Sequence, residues 1–358
     1  MKTYKLIKVS TILLCMVLFS FQLPGQVTGN GEPIKQERNV PTFTGIEVRN
    51  GIDVFINQGD KQSVIIQAEE NIQDQVITEV SGSTLQVYVK KGVNILKTKG
   101  MAAFISVTDL YSLSVSGGGD VESQSLIKTS SMDIGISGGG DLKFDLESGK
   151  TSCAVSGGGN TNISGTAGDC KLSVSGGGNL VLKTGLKNLE ATISGGGDAA
   201  IESGEKSEKI IVATTGGGDL VMNVNSGIIH VAVAGGGDAK VSGGTGISDA
   251  DVAISGGGGL QMDLGAENLQ ISTSGGGGAK LTGTVQNLDA HISSGSDLDA
   301  SGLKTTVAKV NLTGGSDARL NVSGTLDLSA SGGGQVYLTG KPEMKNVNLS
   351  GGSKIHNE

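Results

Sequence analysis

The sequence predicts an all-β protein, a right-handed parallel β-helix (β-solenoid) of about 19–21 residues per coil. Three observations carry that expectation. First, a glycine cluster recurs thirteen times, after Ser116, Ser137, Ser156, Ser175, Ser194, Thr215, Ala234, Ser255, Ser274, Ser293, Thr313, Ser331 and Ser350, at intervals of 18 to 21 residues. A nearly fixed period of this length marks a repeat architecture. Second, apolar residues flank each cluster at a spacing of two, which is the strand period. Third, a full turn of about twenty residues suits a coil whose equivalent positions stack at the ordinary strand spacing of about 4.8 Å. Thirteen coils then make a rod on the order of 60 Å long. The right hand is expected from the chirality of parallel crossovers.

Residues 1–26, MKTYKLIKVSTILLCMVLFSFQLPGQ, read as a secretory signal peptide. Lys2, Lys5 and Lys8 supply the positive start, and residues 9–21 form an apolar core too short for a membrane span. Cys15 lies inside that core and lacks the small residues before it that lipidation requires. Removing the signal costs three lysines and no acids, so the formal charge moves from −8 to −11. Such a charge disfavours nucleic acid and anionic membrane surfaces as partners. No later segment is apolar enough to be a transmembrane segment of the mature chain, so the expected location is outside the cytoplasm: periplasm, outer-membrane surface or extracellular.

Residues 27–44 are polar, with Pro33 and Pro41, and are expected to be an extended lead-in. Residues 45–358 are expected to be a single β-helix domain. Within it, residues 45–115 lack the glycine cluster but alternate in stretches such as Thr84-Leu85-Gln86-Val87-Tyr88-Val89. They are expected to hold irregular first coils and a cap, because a solenoid's terminal repeats must cover an open core. The segment 69–78 is a candidate for one helical turn.

Residues 116–358 hold the thirteen regular coils. Counting the residue before each cluster as position zero, position −1 carries Val115, Ile136, Val155, Val174 and Ile193, and position −3 carries Ile134, Cys153 and Leu172. Position +5 carries Val121, Leu142 and Leu180, and position +7 carries Phe144, Ile163 and Leu182. These predict apolar ladders along the interior. The glycines are expected at a corner, where a run without Cβ atoms permits positive φ and lets corners stack. A flexible glycine–serine linker would carry no such ladders.

The signal-like start, RNGIDVFINQGD at 49–60, LYSLSVSGGGDV at 110–121, the repeated Ser-Gly-x-Gly-Asp turns and LSGGSKI at 349–355 together resemble one family. It is the bacterial secreted proteins described as auto-transporter adhesins with a head GIN domain (DUF2807-type). The resemblance covers about residues 45–356. It implies a right-handed β-helix and an envelope or surface location, commonly in Bacteroidetes-like organisms. It implies no established activity and carries over no catalytic residue. Residues 45–358 also contain no membrane barrel of the kind an auto-transporter would need.

Position +4 is the one chemically distinctive column: Asp120, Asp141, Asn160, Asn179, Asp198, Asp219, Asp238, Gly259, Gly278, Asp297, Asp317, Gln335 and Lys354. Carboxylates stacked at the strand spacing repel unless cations, donors or water intervene. One reading makes the column a row of turn residues that bond nearby backbone N–H groups. The other makes it a calcium column, since calcium takes six to eight hard oxygen ligands. Asp120, Asp141, Asp198, Asp219 and Asp238 are then the candidate ligands. Cys153 and Cys170 share the inward parity and are candidates for neighbouring core thiols or for a disulfide. His230, His291 and His356 fall in separate coils and read as surface residues. GGGDAKVSGG at 235–244 lies between strands with no helix to follow, which excludes a dinucleotide loop.

The expected function is therefore that of a non-enzymatic secreted envelope protein, a structural, adhesive or ligand-binding rod with no catalytic cluster and no cofactor. Its partner is a protein or glycan at the cell envelope. A calcium-binding envelope module is the alternative, with Ca2+ as its ion. A polysaccharide-acting β-helix enzyme ranks below both, because the coils are uniform, the loops short and Trp absent.

Overall fold

The computed structural model describes residues 25–358, so the signal-like segment up to residue 24, with Cys15, lies outside the described residues. The chain is a parallel β-solenoid of about thirteen turns of about 19 residues. In the regular part each coil pairs in parallel with the next. Strand Leu142–Gly157 lies on Thr161–Gly176, which lies on Leu180–Gly195, and so on to Ala318–Ala330.

The alternation in sequence sets which side chains turn in. In the coil after Ser137, Leu142, Phe144, Leu146, Ser148, Thr151, Cys153 and Val155 are buried, while Lys143, Glu147, Ser152 and Ala154 are exposed. The inward rhythm breaks twice per coil, at the glycine corner and again near Gly149–Lys150. All the inward ladders join one hydrophobic cluster running from Phe43 to Leu338. Fully burying one such side chain contributes about 1.5–3 kcal/mol, and every coil adds several. Inward serines at the second corner find backbone acceptors: Ser148 Oγ donates to the Lys150 carbonyl at 2.7 Å and Ser207 Oγ to the Leu186 carbonyl at 2.8 Å, whereas the buried Thr184 Oγ1 has no partner.

The glycine corner has a division of labour that composition does not reveal. Gly157 sits at φ 134°, and a Cβ there would lie 1.7 Å from the carbonyl oxygen of Gly138 in the coil before. Gly159 needs no positive φ, but its Cβ would lie 1.9 Å from the Gly140 carbonyl oxygen. Gly158, between them, has ordinary φ and open space around its missing Cβ. The same pattern holds at 195–197 and 216–218. First and third glycines are thus required by close stacking of backbone on backbone, and the middle one is not.

Length variation is confined to the other side of the coil. Lys183 pairs with Glu202 but Asn188 pairs with Lys209, so the two extra residues of that 21-residue coil lie between 202 and 209. Asn223 pairs with Ser242 and Ile228 with Asp249, which repeats the arrangement one long coil later. The glycine edge keeps its register while the far corner absorbs insertions.

The N-terminal region departs from chain order. The coil formed by Gly45–Val48 and Asp53–Gln58 lies between the coil Thr84–Val89/Ala102–Val107 and the first glycine coil, Ser112–Ser116/Val121–Ser123. The end of the stack is closed by antiparallel strands. Val76–Ser81 covers Thr84–Val89, Ser63–Glu69 covers Ala102–Val107, and Pro33–Glu37 adds a further strand on Ser63–Glu69. Free strand edges invite unwanted pairing, and this cap covers them. One helical turn, Glu70–Gln73, links two of these strands. Part of the expected lead-in is therefore sheet: Gly25–Thr28 pairs with Val93–Lys97, and Pro33–Glu37 belongs to the cap. At the opposite end, Met344, Val347 and Leu349 stand in register with buried Leu326, Leu328 and Ala330 but are themselves exposed.

Glu69 ties the cap together. Its carboxylate accepts from Thr98 Oγ1 at 2.7 Å and from the Lys99 N–H at 2.6 Å. Burial pushes its pKa up, but these donors outweigh burial and hold it below the ordinary 4.5. A carboxylate with a lowered folded pKa stabilises above its unfolded pKa and loses that contribution as pH falls through the folded value. Hydrogen exchange across residues 63–73, taken relative to the intrinsic rate at each pH, should therefore become faster as the pH falls below about 4.5. In Glu69→Gln it should already be fast at neutral pH and lack the acid step.

The corner gives a sharper expectation. Gly196→Ala should leave the denaturation midpoint unchanged or raise stability by about 0.4–1 kcal/mol, through a less flexible unfolded chain. Gly195→Ala and Gly197→Ala should each cost more than about 2 kcal/mol, because their methyl groups meet backbone that cannot step aside. Equal effects at the three positions would contradict the close-stacking account.

Candidate functional site

The column at position +4 is a hydrogen-bond ladder between coils. Each Asp or Asn uses Oδ1 to accept the backbone N–H of the column residue one coil on. Asp141 donates to Asp120 at 2.9 Å, Asn160 to Asp141 at 2.7 Å, Asn179 to Asn160 at 3.2 Å and Asp198 to Asn179 at 2.9 Å. Asp219 then donates to Asp198 at 3.0 Å, Asp238 to Asp219 at 2.9 Å and Gly259 to Asp238 at 2.7 Å. The carbonyl of each column residue faces the preceding coil and accepts from its next residue, as Leu220 N–H does to Asp238 O at 2.8 Å. The side chain thus replaces the ladder acceptor that the neighbouring glycine corner cannot present. An unpaired buried or half-buried N–H is costly, and Asp and Asn are the short side chains that reach it.

The expectation of local turn bonding is corrected in one respect. The acceptor serves an N–H 19 to 21 residues away, not one nearby in sequence, and no column residue adopts positive φ. The column also begins earlier than the glycine repeats indicate. Asp53 Oδ1 accepts from the Asp120 N–H at 3.0 Å. The shared Asp-Val in Ile52-Asp53-Val54 and Gly119-Asp120-Val121 is the sequence signal that would have found it.

The five candidate calcium ligands, Asp120, Asp141, Asp198, Asp219 and Asp238, all lie in this ladder, each with one oxygen committed to a backbone N–H. Among the described residues no three or more His, Cys, Asp and Glu side chains gather as a metal-holding group. Cys153 and Cys170 are buried and free. Thr151, not Cys153, is the register partner of Cys170, so no bridge joins the thiols. Burial pushes both thiols up to about 12, with Cys170 adding to the shift at Cys153. They are core residues without nucleophilic character at neutral pH. His230 lies 3.5 Å from Asp251, His291 lies 3.4 Å from Asp289, and His356 stacks on Tyr337.

Two grooves mark the surface. One, of about 520 Å³, opens on the column edge where Gly259 and Gly278 interrupt the Asp/Asn run, between Asp238 and Asp297. Its wall is the outward row at position +6, with Lys240, Gln261, Lys280, Asp299 and Arg319 in successive coils. Asp299 accepts from Ser301 Oγ at 2.6 Å and from its N–H at 3.2 Å. The Ser301 hydroxyl above all, with Lys280 and Arg319 on either side, holds the Asp299 carboxyl below the ordinary range. The other groove, of about 600 Å³, lies along Asp133, Lys150, Asp169, Lys171, Glu190 and Lys209. Of its charged groups, Lys171 pairs with Glu190 at 3.0 Å, and Asp169 accepts from the Asn188 amide at 2.8 Å.

The sequence profile of the family described as putative auto-transporter adhesin, head GIN domain, matches residues 42–208 and 247–342. Among solved structures, the chain is similar to a putative adhesin from Bacteroides fragilis, at 20% identity and a TM-score of 0.45, over 71% of this chain and 99% of that one. It is also similar to a protein titled putative lipid binding protein from Parabacteroides distasonis, at 15% identity and a TM-score of 0.34, over 93% and 99% of the two chains. A putative adhesin from Parabacteroides merdae matches at 15% identity and a TM-score of 0.30, over 93% and 99%. No curated protein matches the chain.

The ladder and a calcium column make opposite forecasts. Asp219→Asn keeps the acceptor for the Asp238 N–H and should hold the melting midpoint or raise it slightly by removing a like charge. Asp219→Ala orphans that N–H and should cost about 1 kcal/mol. Millimolar calcium or a chelator should leave the wild-type midpoint in place. A calcium-raised midpoint that Asp219→Asn abolishes would instead make the column a metal site.

Proposed function

The chain belongs to the family of putative auto-transporter adhesins with a head GIN domain, and we propose that it is an exported, non-enzymatic rod of the cell envelope. In this reading it holds a polar face towards a protein or glycan partner, as a structural or adhesive element. The observation that carries the proposal is the separation of inward and outward positions. One uninterrupted apolar cluster runs from Phe43 to Leu338, and it constrains nothing at the exposed positions between. The row at +6 accordingly changes character along the rod, from Asn162, Val181 and Ala200 to Lys240, Lys280 and Arg319. A surface free to vary on a fixed scaffold suits recognition, much as loops do on other folds. The signal-like residues 1–26 support export, and no helix of the described residues is long and apolar enough to cross a membrane.

Protease treatment of intact cells, followed by immunoblotting of fractions, tests this. Cleavage on whole cells is the expected result and leaves adhesion to be assayed directly. Protection until the outer membrane is opened would remove the adhesive reading and leave a periplasmic scaffold.

A further inference from the structure

The two ends of the solenoid are finished differently. At the N-terminal end the outer edges of Thr84–Val89 and Ala102–Val107 are each taken by an antiparallel strand of the same chain. At the other end the last coil consists of Glu343–Leu349, which pairs with Ala318–Ala330, and Lys354–Asn357, which pairs with Gln335–Thr339. Among the described residues no strand takes the outer edge of either. The apolar ladders therefore stop in the open. Met344, Val347 and Leu349 keep the inward parity of buried Leu326, Leu328 and Ala330, yet they are 40%, 39% and 41% exposed. Ile355 is their partly covered counterpart on the second strand. Unpaired strand edges beside an open core are a template for further strands.

We propose that this end binds the same end of a second copy, giving a closed, elongated dimer. Symmetry restricts the pairing. Two identical edges related by a two-fold axis meet antiparallel, and an axis perpendicular to the sheet keeps the inward side of each sheet inward. With Asn348 opposite its own copy, Val347 faces Leu349 of the partner subunit, and both continue the interior ladders. Lys345 bulges from its strand without a register partner, so the regular stretch available for pairing is 346–349. The size is adequate. Two sheets about 10 Å apart, closed into a coil of about 19 residues, present an end face of about 600 Å² with side chains included. Two such faces bury about 1,200 Å², the lower limit of a specific interface. The charge permits it as well. Residues 340–358 carry Lys341, Lys345 and Lys354 against Glu343 and Glu358, whereas the whole chain has a formal net charge of −8. Acidic rods repel one another along their flanks, and this end is where they do not. Head-to-tail addition would meet the cap strands Val76–Ser81 and Pro33–Glu37 over a core that is already covered, so assembly stops at two copies. The inference is independent of the adhesive reading, and either can fail alone.

Sedimentation equilibrium and small-angle X-ray scattering of the full mature chain test the assignment. A dimer is expected, with a maximum dimension close to twice that of the monomer. Amide exchange across 346–349 should slow as the concentration rises through the dimerisation range. Val347→Lys combined with Leu349→Lys should weaken association about tenfold or more, because the lysines would be buried unpaired at the contact. The melting midpoint of the dilute monomer should stay in place, since both side chains are exposed in the single chain. Val221→Lys changes an apolar side chain that is 50% exposed on the flank of the rod, and it should leave association unaltered. A monomer at about 0.1 mM, a concentration that would assemble a micromolar contact, would overturn the assignment and leave this end to a different occupant. A side-by-side dimer no longer than the monomer, growth beyond two copies, or a dimer that survives the double change would overturn it too.

Discussion

The contact on which the rest depends is between a glycine and the carbonyl oxygen of the equivalent glycine one coil back. At Gly176, Gly195 and Gly216 a Cβ would fall 1.9 Å from that oxygen. Only hydrogen fits, so each corner sits directly on the last. That direct stacking keeps successive coils in register, and register brings the inward positions into continuous ladders. A corner with side chains would force coils apart or offset them, and the two-residue period would then carry apolar residues outwards. The entropy lost by so many glycines is offset by the core that their stacking allows.

The same corner creates the need that the Asp/Asn column meets. Where the chain turns, the regular backbone ladder cannot supply every acceptor, and one N–H per coil would be left without a partner. A side chain of Asp length on the preceding coil reaches it. The column is therefore a consequence of the glycines, not a separate feature that happens to lie beside them. It also explains why Asn160 and Asn179 stand in the column as well as aspartates do: both carry the required oxygen. Where the column lapses, at Gly259 and Gly278, the surface gains a groove and the ladder lacks two side-chain acceptors.

Much of this was legible in the sequence because the fold is written in spacing. The glycine period gave the coil, and the period of two beside it gave the inward ladders at −3, −1, +5 and +7. The resemblance carried by residues 49–60 and 110–121 pointed to the family that the profile match shows. Other features were hidden for physical reasons. The stretch 45–58 alternates like any other strand, so nothing local tells that it stacks between 84–107 and 112–123. The middle glycine looks like its neighbours, and only packing distinguishes a position that must lack Cβ from one that merely does. The column's partner lies a full coil away, which a reading of adjacent residues cannot find. The groove depends on absent side chains in two coils, a pattern visible only once the coils are laid in register.

The direction of the bonds between coils has a mechanical consequence. Strands run across the rod, so the backbone and column hydrogen bonds that join coils run along it. A load applied along the axis is then carried by each inter-coil interface in series. Under compression, glycine backbones already in contact bear the force, and the rod is stiff. Under tension the weakest interface yields first, and coils can peel away singly while the rest stay folded. A tether built this way would resist collapse yet lengthen in small steps when pulled, dissipating force instead of breaking at once.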